Sequence, residues 1–456
     1  MALNVVIMAA GKGTRMKSAA PKVLHRVGGR SLLGHVLDCA AGLEAARCIV
    51  ITGHGAEAVE QAAAGRAVFA RQMPQLGTGH AVQQAVPLLD AAFETTLILN
   101  GDVPLIRTET ARALAEACGG SRLALLTIEL DDPSGYGRIV RDAGGAVRGI
   151  VEHKDASPGQ RAVREVYTGM MAAPTAALAR WVMALGNANA QREYYLTDIV
   201  AMAVAEGVPV VASAAPDETE VLGVNSPAQL ADLERRFQRG QSARLMEAGV
   251  RLADPARLDL RGSLECGADV EIDVNCVFEG RVTLADGVRI GANCVIRDAA
   301  IGAGAQIHPF THIEGAEVGP GALVGPFARL RPGARLGAEV HIGNFVEVKN
   351  STLAAGAKAN HLAYLGDATV GERVNYGAGS ITANYDGANK HRTVIGADVH
   401  VGSNCVLVAP VEIGAGATIG GGSTITRDVP ADQLSVARAR QASIAGWTRP
   451  KKAPKA

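Results

Sequence analysis

The chain has 456 residues, 48% of them hydrophobic, with 45 basic and 45 acidic side chains. That length predicts two or three domains rather than one core, and the zero formal charge removes the simple electrostatic case for nucleic acid as main partner. No apolar run is long enough to span a membrane, and the first eight residues lack the basic n-region of a signal peptide. The seven cysteines are scattered with no CxxC pair, which argues against disulfides and zinc, so the expected compartment is the cytoplasm.

In chain order, Val5 to Ala9 reads as a buried strand that runs into Gly11-Lys12-Gly13-Thr14-Arg15-Met16. Glycines there let backbone N–H groups approach phosphate oxygens, and Arg15 and Lys22 would add positive charge. An ordinary strand-to-helix turn has the same composition. The loop is neither a dinucleotide fingerprint, because Met16 stands at the third glycine, nor a Walker A loop. Residues 31 to 46 carry Leu32, Leu33, Val36 and Leu37 at helical spacing, before the apolar run Cys48 to Ile51. Leu97 to Leu99 is a further short strand, ending on Asn100-Gly101-Asp102. A carboxylate just past a strand end can hold Mg²⁺ against a triphosphate, or can simply make a turn. Strand and helix alternate to about residue 225, which predicts a mostly parallel, doubly wound α/β sheet with its site beyond the carboxyl ends of the strands.

Pro227 to about Ala248 has the sparse apolar stripe of one exposed helix (Leu230, Leu233, Phe237, Leu245) among Glu234, Arg235, Arg236 and Arg239. This divides the chain into 1–227, a helical linker at 228–248, and 249–456. Beyond the helix the period becomes six. Leu284, Ile290 and Ile296 are followed, after a shift of one, by Ile301, Ile307 and Ile313, and a second register runs from Ile395 to Ile425. Glycine often comes directly after these residues. Neither a helix nor a flat alternating sheet uses that period, but a coil of short parallel strands with tight corners does; a disordered tail would not keep the register.

The six-residue pattern fails between Tyr376 and Thr393, where Thr382 to Lys390 intrudes, and segments ejected from a solenoid commonly carry its function. Upstream lies His361. Imidazole titrates near neutral pH, so His361 is either a general base for an attacking amine or a structural corner residue. The basic end, Arg449 to Lys452, reads as a solvated tail.

Taken together, the GxGTRM loop, Pro21-Lys22, Gly77-Thr78-Gly79 and Gly101-Asp102-Val103-Pro104 resemble the nucleotidyltransferases that activate sugar 1-phosphates. With Gln72, Gly135 to Ile139, Ile150 to Asp155 and Glu193 to Asp198, nearly the whole chain resembles the bacterial bifunctional N-acetylglucosamine-1-phosphate uridyltransferases and glucosamine-1-phosphate N-acetyltransferases. The resemblance implies an α/β; doubly wound nucleotidyltransferase domain, the helical linker, and a left-handed parallel β-helix that trimerises. It implies UTP, acetyl-CoA and the two sugar phosphates as small-molecule ligands, no nucleic-acid or membrane partner, and a place in peptidoglycan and lipid A precursor synthesis. Residue by residue it implies Ala9, Ala10, Gly11, Gln72, Gly77 and Thr78 at uridine and its phosphates, Lys22 at the phosphates, and Gly137 and Glu152 at the sugar. Asp102 and Asn225 are implied at Mg²⁺. Tyr167 stands where the family has Asn at a sugar contact, and Asn100 where a relative has Tyr. In the second half the resemblance implies His361 as the base, Glu347 orienting it, and Arg331, Lys349, Tyr364 and Asn375 at the sugar phosphate. Ala378, Asn384, Tyr385, Ser403, Gly421 (Ala in the family) and Arg438 are implied at acetyl-CoA. The alternative is a single-activity nucleotidyltransferase whose β-helix is a scaffold. A further expectation is that Arg438, beyond the last regular repeat, reaches a neighbouring subunit.

Overall fold

The computed structural model describes residues 2–452 and divides into two compact units, meeting in sequence at Gly240 and Gln241. The first is built on a nine-stranded sheet. Its main path runs Val68–Arg71, Arg47–Thr52, Leu3–Met8, Thr95–Asn100, Glu165–Pro174, Leu123–Glu129, Val210–Ala214. Every neighbouring pair on it is parallel except the two made by Glu165–Pro174, which runs antiparallel between its neighbours.

Alternate residues of each strand feed two cores. Val5, Ile7, Leu97 and Leu99 pack on one face with Leu33, Val36 and Leu37 of the helix Leu32–Gly42. Val6 and Ile98 pack on the other with Leu178, Trp181 and Val182 of the helix Thr175–Met183. Period-two strands between amphipathic helices have to be covered on both sides, which makes the sheet doubly wound. From Leu3–Met8 the chain winds outward through Arg47–Thr52, then returns to Thr95–Asn100 on the opposite side. Strand order therefore reverses at Leu3–Met8, and the crevice beyond its carboxyl end is where ligands of such sheets bind.

The expected linker is the helix Pro227–Glu247. The division between units falls inside it. Leu233 is buried with Met16, Val27, Leu32 and Val224 of the first unit, whereas Leu245 belongs to the core of the second.

The second unit is a parallel β-helix. Ile272, Ile290, Ile307, Val324, Ile342, Ala359 and Tyr376 are successive partners in one column, 17 or 18 residues apart, and all are buried. The next step, Tyr376 to Val401, is 25 residues, and the excess is the ejected segment. The one-residue shifts seen in the sequence are the alternation between 17- and 18-residue coils. Glycine after the aliphatic is a packing requirement. A Cβ on Gly343 would lie 2.0 Å from the Asn360 carbonyl oxygen of the next coil, and one on Gly402 would lie 2.5 Å from Gly421 N. The last coil runs further than the repeat pattern shows, because Leu434–Ser435 pairs with Thr418–Ile419.

Inside the prism Phe278 is fully buried between Leu260 and Ile296. Phe278→Ala should destabilise the β-helix by about 3–5 kcal/mol. The measurement is the shift in its urea transition, and a change below about 1 kcal/mol would mean the column tolerates a void.

Candidate active sites

The crevice of the first unit holds a cavity of about 300 Å³ lined by Ala9, Ala10, Gly11, Lys22, Gln72, Gly77, Thr78 and Asp102, all expected from the sequence. Asn100, noted in the sequence where a relative has Tyr, also lines it, and among its other lining residues Gln75 and Glu193 are polar side chains to which the sequence assigned no role. Gly11 follows the first strand with open space where a Cβ would stand, so its backbone is bare toward a ligand. The glycine loop does not lead into an α-helix. It makes one 3₁₀ turn, Thr14–Met16, entered through Gly13 at φ +58°, where an added Cβ would lie 2.7 Å from that of Lys22. Gly77, at φ +110°, lies against the Tyr194 carbonyl, 2.6 Å from where its Cβ would be. The Thr78 hydroxyl accepts from Leu196 N at 3.0 Å, and buried Gln72 donates to the Gly77 carbonyl at 2.9 Å. These bonds bring two motifs more than a hundred residues apart in the sequence to one wall.

Asp102 and Asn100 also line an adjoining cavity of about 240 Å³, and Arg15 and Asn225 lie there rather than in the first. Asn225 is carried in by a bond from Val224 N to the Asp102 carbonyl at 3.0 Å. The Lys22 ammonium touches the Asp102 carboxylate and donates to Asn225 Oδ1 at 3.0 Å.

The residues expected at the sugar form a third group. Gly137 pairs in register with Tyr167. Glu152 accepts from the Thr197 hydroxyl at 2.9 Å. Burial pushes its carboxyl above the ordinary range, against the bond from Thr197. The Tyr167 ring is packed in the apolar core with Ile98, Leu125 and Ile139, close enough to Glu152 to feel its charge, and its hydroxyl is buried without a partner, so it lines neither of the two cavities above.

On the β-helix, His361 is exposed at a corner. Ala378, Ser403 and Gly421 follow on the same corner of successive coils. Their backbone carbonyls form one chain of acceptors: His361 O from Gly379 N, Ala378 O from Asn404 N, Ser403 O from Gly422 N, and Gly421 O from the Arg438 guanidinium. With strands about 4.8 Å apart, the column from His361 to Gly421 is about 14 Å long. Within this chain the exposed Arg438 guanidinium rests on Gly421, at the end of the coil that Leu434–Ser435 adds.

The partner of the His361 ring is also not the expected one. Nδ1 lies 2.8 Å from Asn344 Oδ1, whereas Glu347 is engaged by Arg331 at 2.9 Å and by Arg329 at 3.5 Å. Coil length explains this. His361 stands directly over Asn344, and Tyr364 stands over Glu347.

Around the corner, Arg331, Lys349 and Tyr364 share the next face with Lys390, which the ejected segment returns to it. Close contact with the Lys390 ammonium, and its charge, pull Lys349 below the ordinary lysine range. A Cβ on Gly366 would fall 2.2 Å from the Tyr364 hydroxyl, so the ring lies across that glycine. Asn375 lies three residues before Ala378, its amide 3.5 Å from His400 Nδ1. Asn384 is turned inward, its amide donating to Asp367; burial would raise that carboxyl, but the bonds from Asn350 and Asn384 win and hold it low. Tyr385 next to it is exposed. Asp386 ties the loop together by accepting from Ala388 N at 2.8 Å, Asn389 N at 2.7 Å and the His391 ring at 2.6 Å.

Residues 5–139 match the MobA-like NTP transferase domain, and 392–427 match the bacterial transferase hexapeptide (six repeats). Over 99% of both chains, the sequence is 78% identical to the bifunctional protein GlmU of Methylibium petroleiphilum. It is 68% identical to that of Paracidovorax citrulli over the full length of both, and 61% identical to that of Azoarcus sp. over 99% of this chain and all of the other. The chain belongs to the GlmU family. It is a bifunctional enzyme, a uridylyltransferase and an acetyltransferase. The NTP transferase match falls in the first unit and the hexapeptide match in the second. Against GlmU motifs read from the sequence, the residues missed on the β-helix were Asn344 and Lys390. A 17-residue coil spacing would have pointed to Asn344, and the ejected loop that ends on Lys390 was itself a signal.

Proposed function

We propose that the second unit transfers the acetyl group of acetyl-CoA to glucosamine 1-phosphate. The first then joins the product, N-acetylglucosamine 1-phosphate, to UTP, giving UDP-N-acetylglucosamine and pyrophosphate. The observation that carries the acetyl-transfer half is the single corner column of His361, Ala378, Ser403, Gly421 and Arg438 beside a cationic face. With Nδ1–H donated to Asn344, Nε2 of His361 is left to accept the proton of the amine. The amine nitrogen attacks the thioester carbonyl carbon, the C–S bond breaks, and the thiolate of CoA leaves. Arg331, Lys349 and Lys390 hold the phosphate of the sugar, Tyr364 and Asn375 its ring, and the column below His361 takes the pantetheine arm. Glu347 acts through Arg331, as a positioning residue for that phosphate.

In the first unit Ala9, Ala10, Gly11, Gln72, Gly77 and Thr78 take uridine and its phosphates, with Arg15 on the adjoining side. Gly137 and Glu152 serve the sugar. A phosphate oxygen of the sugar phosphate attacks the α-phosphorus of UTP, and the bond to the β-phosphate breaks. Lys22 stabilises the charge that spreads over the phosphates. Asp102 and Asn225 turn oxygens toward one cation, the Lys22 ammonium, a hard donor pair that suits Mg²⁺ with phosphate and water completing its shell. Bound there, Mg²⁺ would neutralise phosphate charge.

We also assign the chain to a cytoplasmic homotrimer that feeds peptidoglycan and lipid A precursors. Self-association is supported by an exposed apolar ladder on the His361 corner: Phe310, Phe327 and Phe345 stack at 4.9 and 5.4 Å, and Leu362 follows. Purified protein should release thiol from acetyl-CoA with glucosamine 1-phosphate, and pyrophosphate from UTP with N-acetylglucosamine 1-phosphate. Light scattering should give three times 47.0 kDa. Pyrophosphate without thiol would reduce the β-helix to a scaffold.

A further inference from the structure

Lys22 occupies the place where the metal is assigned. Its ammonium contacts the Asp102 carboxylate and lies 3.0 Å from Asn225 Oδ1, and the two charged side chains are only 13% and 21% exposed. Lys22 opens the short turn Lys22–Leu24 and packs so close to Gly13 that a Cβ there would lie 2.7 Å from its own. The two oxygens Asp102 Oδ2 and Asn225 Oδ1 therefore already face a cation. A divalent ion set between the same two oxygens would meet the ammonium at contact distance, and two positive charges so close in a partly shielded site repel strongly. The ammonium cannot retreat to solvent without giving up both of its partners. A polyphosphate in the 300 Å³ cavity, which Lys22 lines, offers it new ones.

We infer that Lys22 is the resident cation of this site in the nucleotide-free enzyme, and that it must move to a polyphosphate before a divalent ion can bind. Metal entry is thereby coupled to nucleotide entry: the free enzyme holds metal weakly, and a polyphosphate opens the site. The inference rests on the proposed assignment of Asp102 and Asn225, and the test separates the two.

Mn²⁺ binding to the full-length, nucleotide-free protein is followed by the electron paramagnetic resonance signal of the unbound ion. Lys22→Met keeps the apolar stem and removes the charge; it should bind one Mn²⁺ per chain at least tenfold more tightly than the wild type. Lys22→Arg, which keeps the charge, should stay as weak as the wild type. Adding Asp102→Asn to Lys22→Met should abolish the gain. Wild-type binding as tight as that of Lys22→Met, or no binding by Lys22→Met, overturns the inference. A gain that survives Asp102→Asn shows instead that the metal ligands are misassigned. If Lys22→Met lacks the wild-type thermal transition, Lys22→Gln replaces it with the same expectations.

Discussion

Asp102→Ala is expected to lower UTP-dependent pyrophosphate release on the order of 10²–10³-fold, the size of effect seen when one preorganised charge-stabilising group is removed. Asp102 is the one carboxylate common to the two cavities described above, and it is also the partner of Lys22. Its loss removes the proposed metal ligand and leaves the ammonium with Asn225 alone. The acetyl transfer rate should be unchanged, because His361 and its neighbours belong to the other unit. Near-normal pyrophosphate release at saturating Mg²⁺ would sink the assignment.

His361→Ala should produce the opposite pattern. Removing a general base typically costs about 10²–10⁴-fold, so thiol release should fall by that much while pyrophosphate release stays intact. The hydrogen bond that Asn344 Oδ1 accepts from the His361 ring adds a graded control. Asn344→Ala frees the ring to rotate and to change tautomer, and should lower kcat less than His361→Ala, with KM for glucosamine 1-phosphate held. Glu347→Ala should instead raise that KM, because its carboxylate positions Arg331. A fall of less than tenfold in His361→Ala, with substrates still bound, would make His361 a corner residue. Equal kcat losses in Asn344→Ala and Glu347→Ala would leave the division of roles between them without support.

Much of this molecule is determined by local pattern. The period of two in Val5 to Ile7 and Leu97 to Leu99, set between amphipathic helices, specifies a sheet covered on both faces. The period of six specifies a prism, because one aliphatic per side has to face inward and a Cβ on the following residue would strike the next coil. The motifs around Gly11, Gly77 and Asp102 were legible too, since each is a short run whose backbone demands are local.

What the sequence did not determine was which side chains meet. Tyr167 lies within a motif yet faces the core, because a strand sends alternate residues to opposite faces and only the register with Gly137 and Thr127 decides which. Asn344, not Glu347, reaches His361, because the coil length is 17 residues at that point and not 14. Lys390 joins Lys349 only once the ejected loop has folded back. Lys22, Asp102 and Asn225 come together across some two hundred residues of chain, through strand order and the bond between Val224 and Asp102. Periodicity is a property of neighbours along the chain and so can be read from residues in order. A site is made by contacts between distant segments, and those are set by the packing that minimises exposed apolar surface over the whole unit.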